Sequence, residues 1–202
     1  MYSRAQLECR DDRPTEDHVV LMSDVTWEDY ERLLEIRGDK SAPRFTYLEG
    51  VLEIMSPSRD HEVIKSLIGC LVEVYCLERG IRFMPVGSWT LKEAKEERGV
   101  EPDECYVFGG ADTDRPHLAI EVVWTSGRLD KLEVYRKLGV QEVWYWRKGT
   151  IEPHVLRGSR YQAVSASEVL PGLDLDLLAK FLDRPTAYDA IRDFRAALAA
   201  RA

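Results

Sequence analysis

Hydrophobic residues recur along this chain in two rhythms, and the rhythms divide it into elements. Over residues 60–78 the apolar side chains Val63, Leu67, Cys70, Leu71, Val74 and Leu77 return at steps of three and four, which predicts an amphipathic helix stopped by Gly80. Thr26-Trp27-Glu28-Asp29 offers a threonine cap with an acid three residues on, so a shorter helix is predicted from there to about Arg37, ending at Gly38. Between the two, residues 45–48 and 51–55 flank Glu49-Gly50, the pattern of a hairpin with a two-residue turn. Strand-like segments follow at 81–86 and 89–91, then a charged loop or hairpin tip at 92–99. Pro102 can open a central strand but not sit inside one, so the next strand is placed at 103–108.

After a polar turn at 109–116 come a strand (117–123), a helix (129–138, closed by Gly139) and a strand (142–147). Strand, short helix and strand in succession predict a crossover and therefore a parallel pair. Residues 151–156 and 160–164 read as a trailing antiparallel meander. A short helix is expected near 175–181, a break at Pro185, and an alanine-rich amphipathic helix over 186–202. Residues 1–17 read as a loose arm. With no repeat, low-complexity tract or linker, the expectation is one mixed α/β (α+β) domain over 1–202, with its core at about 25–182.

Composition narrows the functional classes. The chain has 202 residues, 45% hydrophobic and 32% charged, enough for a substantial core. No apolar run approaches a membrane span and the start lacks a signal-peptide core, so a cytoplasmic protein with no membrane partner is expected. The net charge of -8 counts against avid binding of duplex nucleic acid while leaving room for a local basic groove. Cys9, Cys70, Cys76 and Cys105 form no C-x-x-C pair, so reduced packing cysteines are expected and a zinc site is not.

The run Leu118-Ala119-Ile120-Glu121-Val122-Val123 has the composition of a strand buried on both faces, with a carboxylate in its middle. A carboxylate there is costly unless compensated. Asp103 could share a cation with it and Lys131 could neutralise it. The competing accounts are structural: a buried salt bridge at Glu121, a turn-closing aspartate at Asp103, a solvated helix-face lysine paired with Asp130 or Glu133 at Lys131. Trp144, Tyr145 and Trp146 invite a base-stacking role, but alternation along a strand turns Tyr145 away from both tryptophans, so all three are read as core and sheet-face residues.

The ordered set Tyr47-Leu48-Glu49-Gly50-Val51-Leu52-Glu53-Ile54-Met55-Ser56-Pro57, His61, Pro102-Asp103, the stretch 118–146 and Leu170-Pro171-Gly172-Leu173 resembles the PD-(D/E)XK restriction-endonuclease-like superfamily. Within it, the chain looks closest to a large bacterial family of endonuclease-like proteins. The resemblance implies a restriction-endonuclease-like core, a mixed central sheet flanked by helices, preceded by a helix and hairpin and followed by a meander and helices. It implies metal-dependent hydrolysis of DNA phosphodiester bonds, with Mg2+ or Mn2+ held by Asp103 and Glu121. Glu49 is a candidate third metal-side acid, against an exposed turn residue, and His61 a candidate for orienting phosphate or water, against a capping or surface histidine. The lysine of the pattern belongs two residues after the glutamate, where this chain has Val123; the resemblance moves its role to Lys131. Glu101 is read as a rim carboxylate and Tyr135 as a core aromatic beside the lysine stem. A homodimer fits the superfamily. The alternatives are a catalytically silent nuclease fold acting as a binding or regulatory module, and a scaffold that uses its C-terminal helix as a partner surface.

Overall fold

The computed structural model describes residues 16–110, 113–124 and 129–201. Most of the loose arm expected over 1–17, with Cys9, lies outside the described residues.

Chain order begins with β1 (His18–Met22), α1 (Trp27–Arg37), β2 (Arg44–Leu48), β3 (Val51–Ser56) and α2 (Arg59–Glu78). Next come β4 (Phe83–Pro85), β5 (Leu91–Glu93), β6 (Arg98–Val100), β7 (Glu104–Phe108) and β8 (Leu118–Val122). The chain continues through α3 (Lys131–Leu138), β9 (Glu142–Arg147), β10 (Thr150–Arg157), β11 (Arg160–Ala163), α4 (Leu175–Lys180) and α5 (Ala187–Ala199). The start of α1 is a capping box, with the Asp29 amide donating to Thr26 Oγ1 at 3.1 Å and the Thr26 amide donating to Asp29 Oδ2. Glu49 and Gly50 both take positive φ (46° and 87°), as a two-residue hairpin turn requires.

The strands form two sheets, of which the second is the mixed central sheet expected and the first is built on the N-terminal hairpin. The first is antiparallel, in the order β1-β3-β2-β6-β5; the second is mixed, in the order β11-β10-β9-β8-β7-β4. Within the second, β8 and β9 run parallel through α3, the crossover read from the sequence, and its other pairs are antiparallel. Of the two readings of 92–99, charged loop or hairpin tip, the second holds: this is the tip of the β5–β6 hairpin, closed by a 3-10 turn at Ala94–Glu96. Strand β1 had no signal in the sequence: it is an edge strand whose Val20, Leu21 and Met22 stay exposed, so burial imposed no alternation.

Alternation sorts side chains into three layers. Leu118, Ile120, Val122, Trp144 and Trp146 face α2, α4 and α5, whose Ile68, Leu71, Leu178 and Phe194 complete the largest core. Ala119, Val143 and Tyr145 face the other way, against Val134 and Tyr135 of α3 and Leu91 and Val100 of the first sheet. Tyr145 thus lies opposite both tryptophans. In the first sheet Phe45, Tyr47 and Leu52 take α1, with Tyr30 stacked on Tyr47 at 5.1 Å. Arg44 pairs across the ladder with Met55, and Thr46 with Glu53, so these four share the opposite face. That face meets α3, placing charged residues of both sheets in one layer. Among the described residues no helix is long and apolar enough to cross a membrane.

Candidate functional site

The last β7–β8 ladder pairs are Glu104–Ile120 and Cys105–Ala119, so Asp103, one step earlier, stands across from Glu121. Facing residues of an antiparallel pair project to the same side. Asp103 is fully buried and Glu121 is 1% exposed.

Asp103 is held by two hydrogen bonds and an ion pair. Arg44 Nη1 donates to Oδ1 at 2.8 Å and the Val122 amide to Oδ2 at 2.7 Å. His61 Nε2 lies 2.9 Å from Oδ2, a contact that is an ion pair. The other ring nitrogen, Nδ1, is 3.0 Å from Asp17 Oδ2, and Asp17 in turn accepts from the Ser58 amide at 2.9 Å. Ser58 caps α2, which fixes His61 in the first turn of that helix. Burial alone would lower the imidazole pKa, but Asp103 and Asp17 outweigh it and carry it to about 9, so His61 is a buried cation. Burial would likewise raise the Asp103 carboxyl, and the His61 and Arg44 charges instead hold it well below the usual range. Arg44 also donates to Glu62 Oε1 at 2.7 Å.

Glu121 is held from α3. Asp130 caps that helix by accepting from the Leu132 amide at 3.1 Å, so Lys131 is its first residue. A lysine at a helix N-terminus opposes the macrodipole and needs compensation. Its ammonium turns back onto the strand and donates to Glu121 Oε2 at 2.5 Å, both groups being buried. Tyr135, one helical turn on, donates its hydroxyl to Glu121 Oε1. Burial pushes the Glu121 carboxyl up, and Lys131 partly opposes that; Glu121, Asp103 and Glu53 keep Lys131 protonated despite its burial.

Glu53 is the residue that sequence reasoning missed. It is 1% exposed; its Oε2 accepts from the Leu129 amide at 3.2 Å, while Oε1 has no hydrogen-bond partner. The signal was the one that singled out Glu121, an acid within an apolar strand (Val51-Leu52-Glu53-Ile54-Met55), and it was present in the same hairpin as Glu49. Glu49 itself stands on the exposed turn, where Arg98 Nη2 donates to it at 2.9 Å, and no contact joins it to Asp103 or Glu121. Arg44 and Tyr135 were also missed as site members, because only sheet register and helix packing bring them there. Glu101, expected at the rim, is buried and structural: Arg37 Nη1 bridges both of its oxygens at 2.6 and 2.7 Å, and Thr90 and the Phe45 amide also donate to it. His61 is neither a surface residue nor the cap itself, and Lys131 is paired with neither Asp130 nor Glu133.

Glu121 and Lys131 form part of the wall of a cleft of about 890 Å³ that also takes in Trp124, Arg147, Lys148 and His154. Its walls carry both signs of charge: Lys131 is paired with Glu121, Arg147 lies 3.4 Å from Glu152, and Asp130 adds a further acid, so the cleft is charged but not basic overall. Among the described residues, no group of three or more His, Cys, Asp or Glu side chains is arranged to hold a metal ion. Asp103 and Glu121 have instead gathered their own cations.

A solved structure from Anabaena variabilis, described as a putative nuclease belonging to DUF820, is 14% identical over 79% of this chain and 96% of its own, with a TM-score of 0.47. A search of curated proteins found no match. A family model, Uma2, described as "Putative restriction endonuclease", matches residues 27–183, which takes in every strand from β2 onward and Asp103, Glu121, Lys131 and Glu53. The chain therefore belongs to the Uma2 family of restriction-endonuclease-like proteins.

Proposed function

We propose that this protein is a divalent-metal-dependent endonuclease that hydrolyses phosphodiester bonds of DNA with an activated water. The observation that carries the reading is the Asp103–Glu121 pair, two buried carboxylates facing the same side of adjacent strands with a lysine ammonium on one of them. Magnesium or manganese fits this donor set in kind, since both take carboxylate oxygens and leave positions for water and phosphate. The unpartnered Oε1 of buried Glu53 is a further sign that the layer has oxygen donors to spare. Asp103 and Glu121 would hold the ion. When bound, it supplies a water of lowered pKa and takes up charge on the phosphoryl oxygens.

The chain's own residues do the rest. Arg44, His61 and the Val122 amide fix the Asp103 carboxylate in one orientation. Lys131, part of the cleft wall and anchored on Glu121, presents its ammonium where a phosphate or attacking water would lie. Arg147, Lys148 and His154 line the same cleft and would take backbone phosphates of the bound strand, with Arg147 released from Glu152.

The test is cleavage of plasmid and single-stranded DNA with Mg2+ or Mn2+, set against Asp103→Asn and Glu121→Gln. Wild-type cleavage is expected and loss in both variants; cleavage persisting in both removes the assignment. A second reading, a nuclease fold that binds without turnover, is favoured by one observation: Asp103 is already engaged by two hydrogen bonds and an ion pair. It predicts no calorimetric binding of Mn2+ that depends on Asp103 and Glu121.

A further inference from the structure

We infer that the cleft binds DNA as a single strand, with the Trp124 indole stacked on one of its unpaired bases. This rests on the DNA reading above and adds to it the state of the strand and a recognition residue.

Trp124 is a large aromatic side chain left 40% exposed in the wall of a charged cleft. Single exposed hydrophobics are common on any surface, so its setting decides. It lies two residues past the end of β8 and three past Glu121. The ring is held in place: it packs across the ring of Trp146, with centroids 5.0 Å and planes 70° apart. Trp146 belongs to the largest core, so the indole is braced on one side while part of its surface stays in water. A base that stacks on a ring already fixed in position has little side-chain ordering to overcome. The tryptophans of β9 cannot serve, since Trp144 is fully buried and Trp146 nearly so.

The charges of the cleft point to the same ligand. Binding of a duplex without base contacts draws on phosphates neutralised by lysine and arginine. Here Lys131 is paired with Glu121 and Arg147 with Glu152. Among the described residues, Lys148 on the β9–β10 turn is the one lysine or arginine of the cleft with no hydrogen-bond or ion-pair partner. Phosphate contacts alone therefore hold a strand weakly. Stacking supplies the difference, because every base presents a face to an aromatic ring whatever the sequence. A duplex keeps those faces inside its own stack, and a single strand offers them. Tyr145 contributes as a support: the Arg147 guanidinium lies over its ring at 4.5 Å, and His154 meets it edge to face at 5.5 Å. Three residues of chain span at most about 10 Å, so a base on Trp124 keeps its strand at the Glu121–Lys131 end of the cleft.

The experiment is fluorescence anisotropy of a labelled mixed-sequence DNA oligonucleotide, single-stranded or annealed to its complement, titrated with the whole chain in EDTA at one salt concentration. EDTA separates binding from cleavage. Wild type is compared with Trp124→Ala, Trp124→Phe and Tyr188→Ala, the last an exposed aromatic on α5 outside the cleft. Each is first shown by circular dichroism to be folded. Wild type is expected to bind the single strand more tightly than the duplex. Trp124→Ala should weaken single-strand binding by roughly 5- to 150-fold and duplex binding by much less. Trp124→Phe should keep most of the affinity, and Tyr188→Ala all of it. Binding should also quench tryptophan emission in the wild type, and Trp124→Phe should remove that quenching. Single-strand affinity unchanged in Trp124→Ala, or duplex affinity lowered as much, overturns the inference. A wild type that prefers the duplex also overturns it and leaves the proposed function standing. Trp124-dependent binding without metal-dependent cleavage removes the hydrolytic assignment and leaves this one in place. A wild type that binds neither form overturns both.

Discussion

Replacing Lys131 by methionine tests how the site's central carboxylate is held. The substitution keeps the length of the stem and removes the ammonium, leaving Glu121 buried with the Tyr135 hydroxyl as its remaining side-chain donor. Stripping one partner from a buried ion pair costs about 3–5 kcal/mol, because the surviving charge stays desolvated. At about 2–4 °C per kcal/mol for a chain of this size, that is a fall in Tm of roughly 6–20 °C. The assay is urea and thermal denaturation at pH 7 in EDTA, run as a cycle with Glu121→Gln and the double variant. Removing the charge as well as the lysine should recover part of the loss, so the cycle should return a coupling energy in the upper half of the 0.5–3 kcal/mol range for residues in contact. A Lys131→Met protein within about 1 kcal/mol of wild type would refute the reasoning. It would mean that the ammonium is solvated and that something else neutralises Glu121.

Other expectations follow from the same layer and its supports. His61, carried to about 9, gains its stabilising charge on folding. That contribution is complete below the unfolded value near 6.5 and is lost as pH rises through about 9, on the order of 3 kcal/mol in all. Denaturation in EDTA across pH 6–10 should show the decline, and a His61→Gln protein should not. At Gly99 an added Cβ would stand 2.2 Å from the hydroxyl oxygen of buried Tyr30, so Gly99→Ala should cost at least about 1–3 kcal/mol. The Tyr30 hydroxyl has no hydrogen-bond partner, so Tyr30→Phe should cost little alone and relieve part of the Gly99→Ala loss in the same urea assay.

Much of this protein was written in local pattern. The capping box fixed the start of α1, the three-and-four rhythm gave α2, and Glu49-Gly50 gave the hairpin, because each depends on residues within one turn of each other. An acid in an apolar strand pointed to Glu121 by the cost of burying it, and strand–helix–strand order predicted the parallel β8–β9 pair. What locality could not supply was which charges meet. Arg44 reaches Asp103 only because β2 and β3 turn one face toward α3, and Glu53 joins them through its ladder position opposite Thr46. Glu49, equally acidic and four residues away, is left outside by the geometry of the turn. The chain's own pattern set the elements and the need for a counter-charge; the pairing of two sheets around α3 decided which residues answer it, since Coulomb energy depends on distance in space and burial, neither of which is a property of sequence separation.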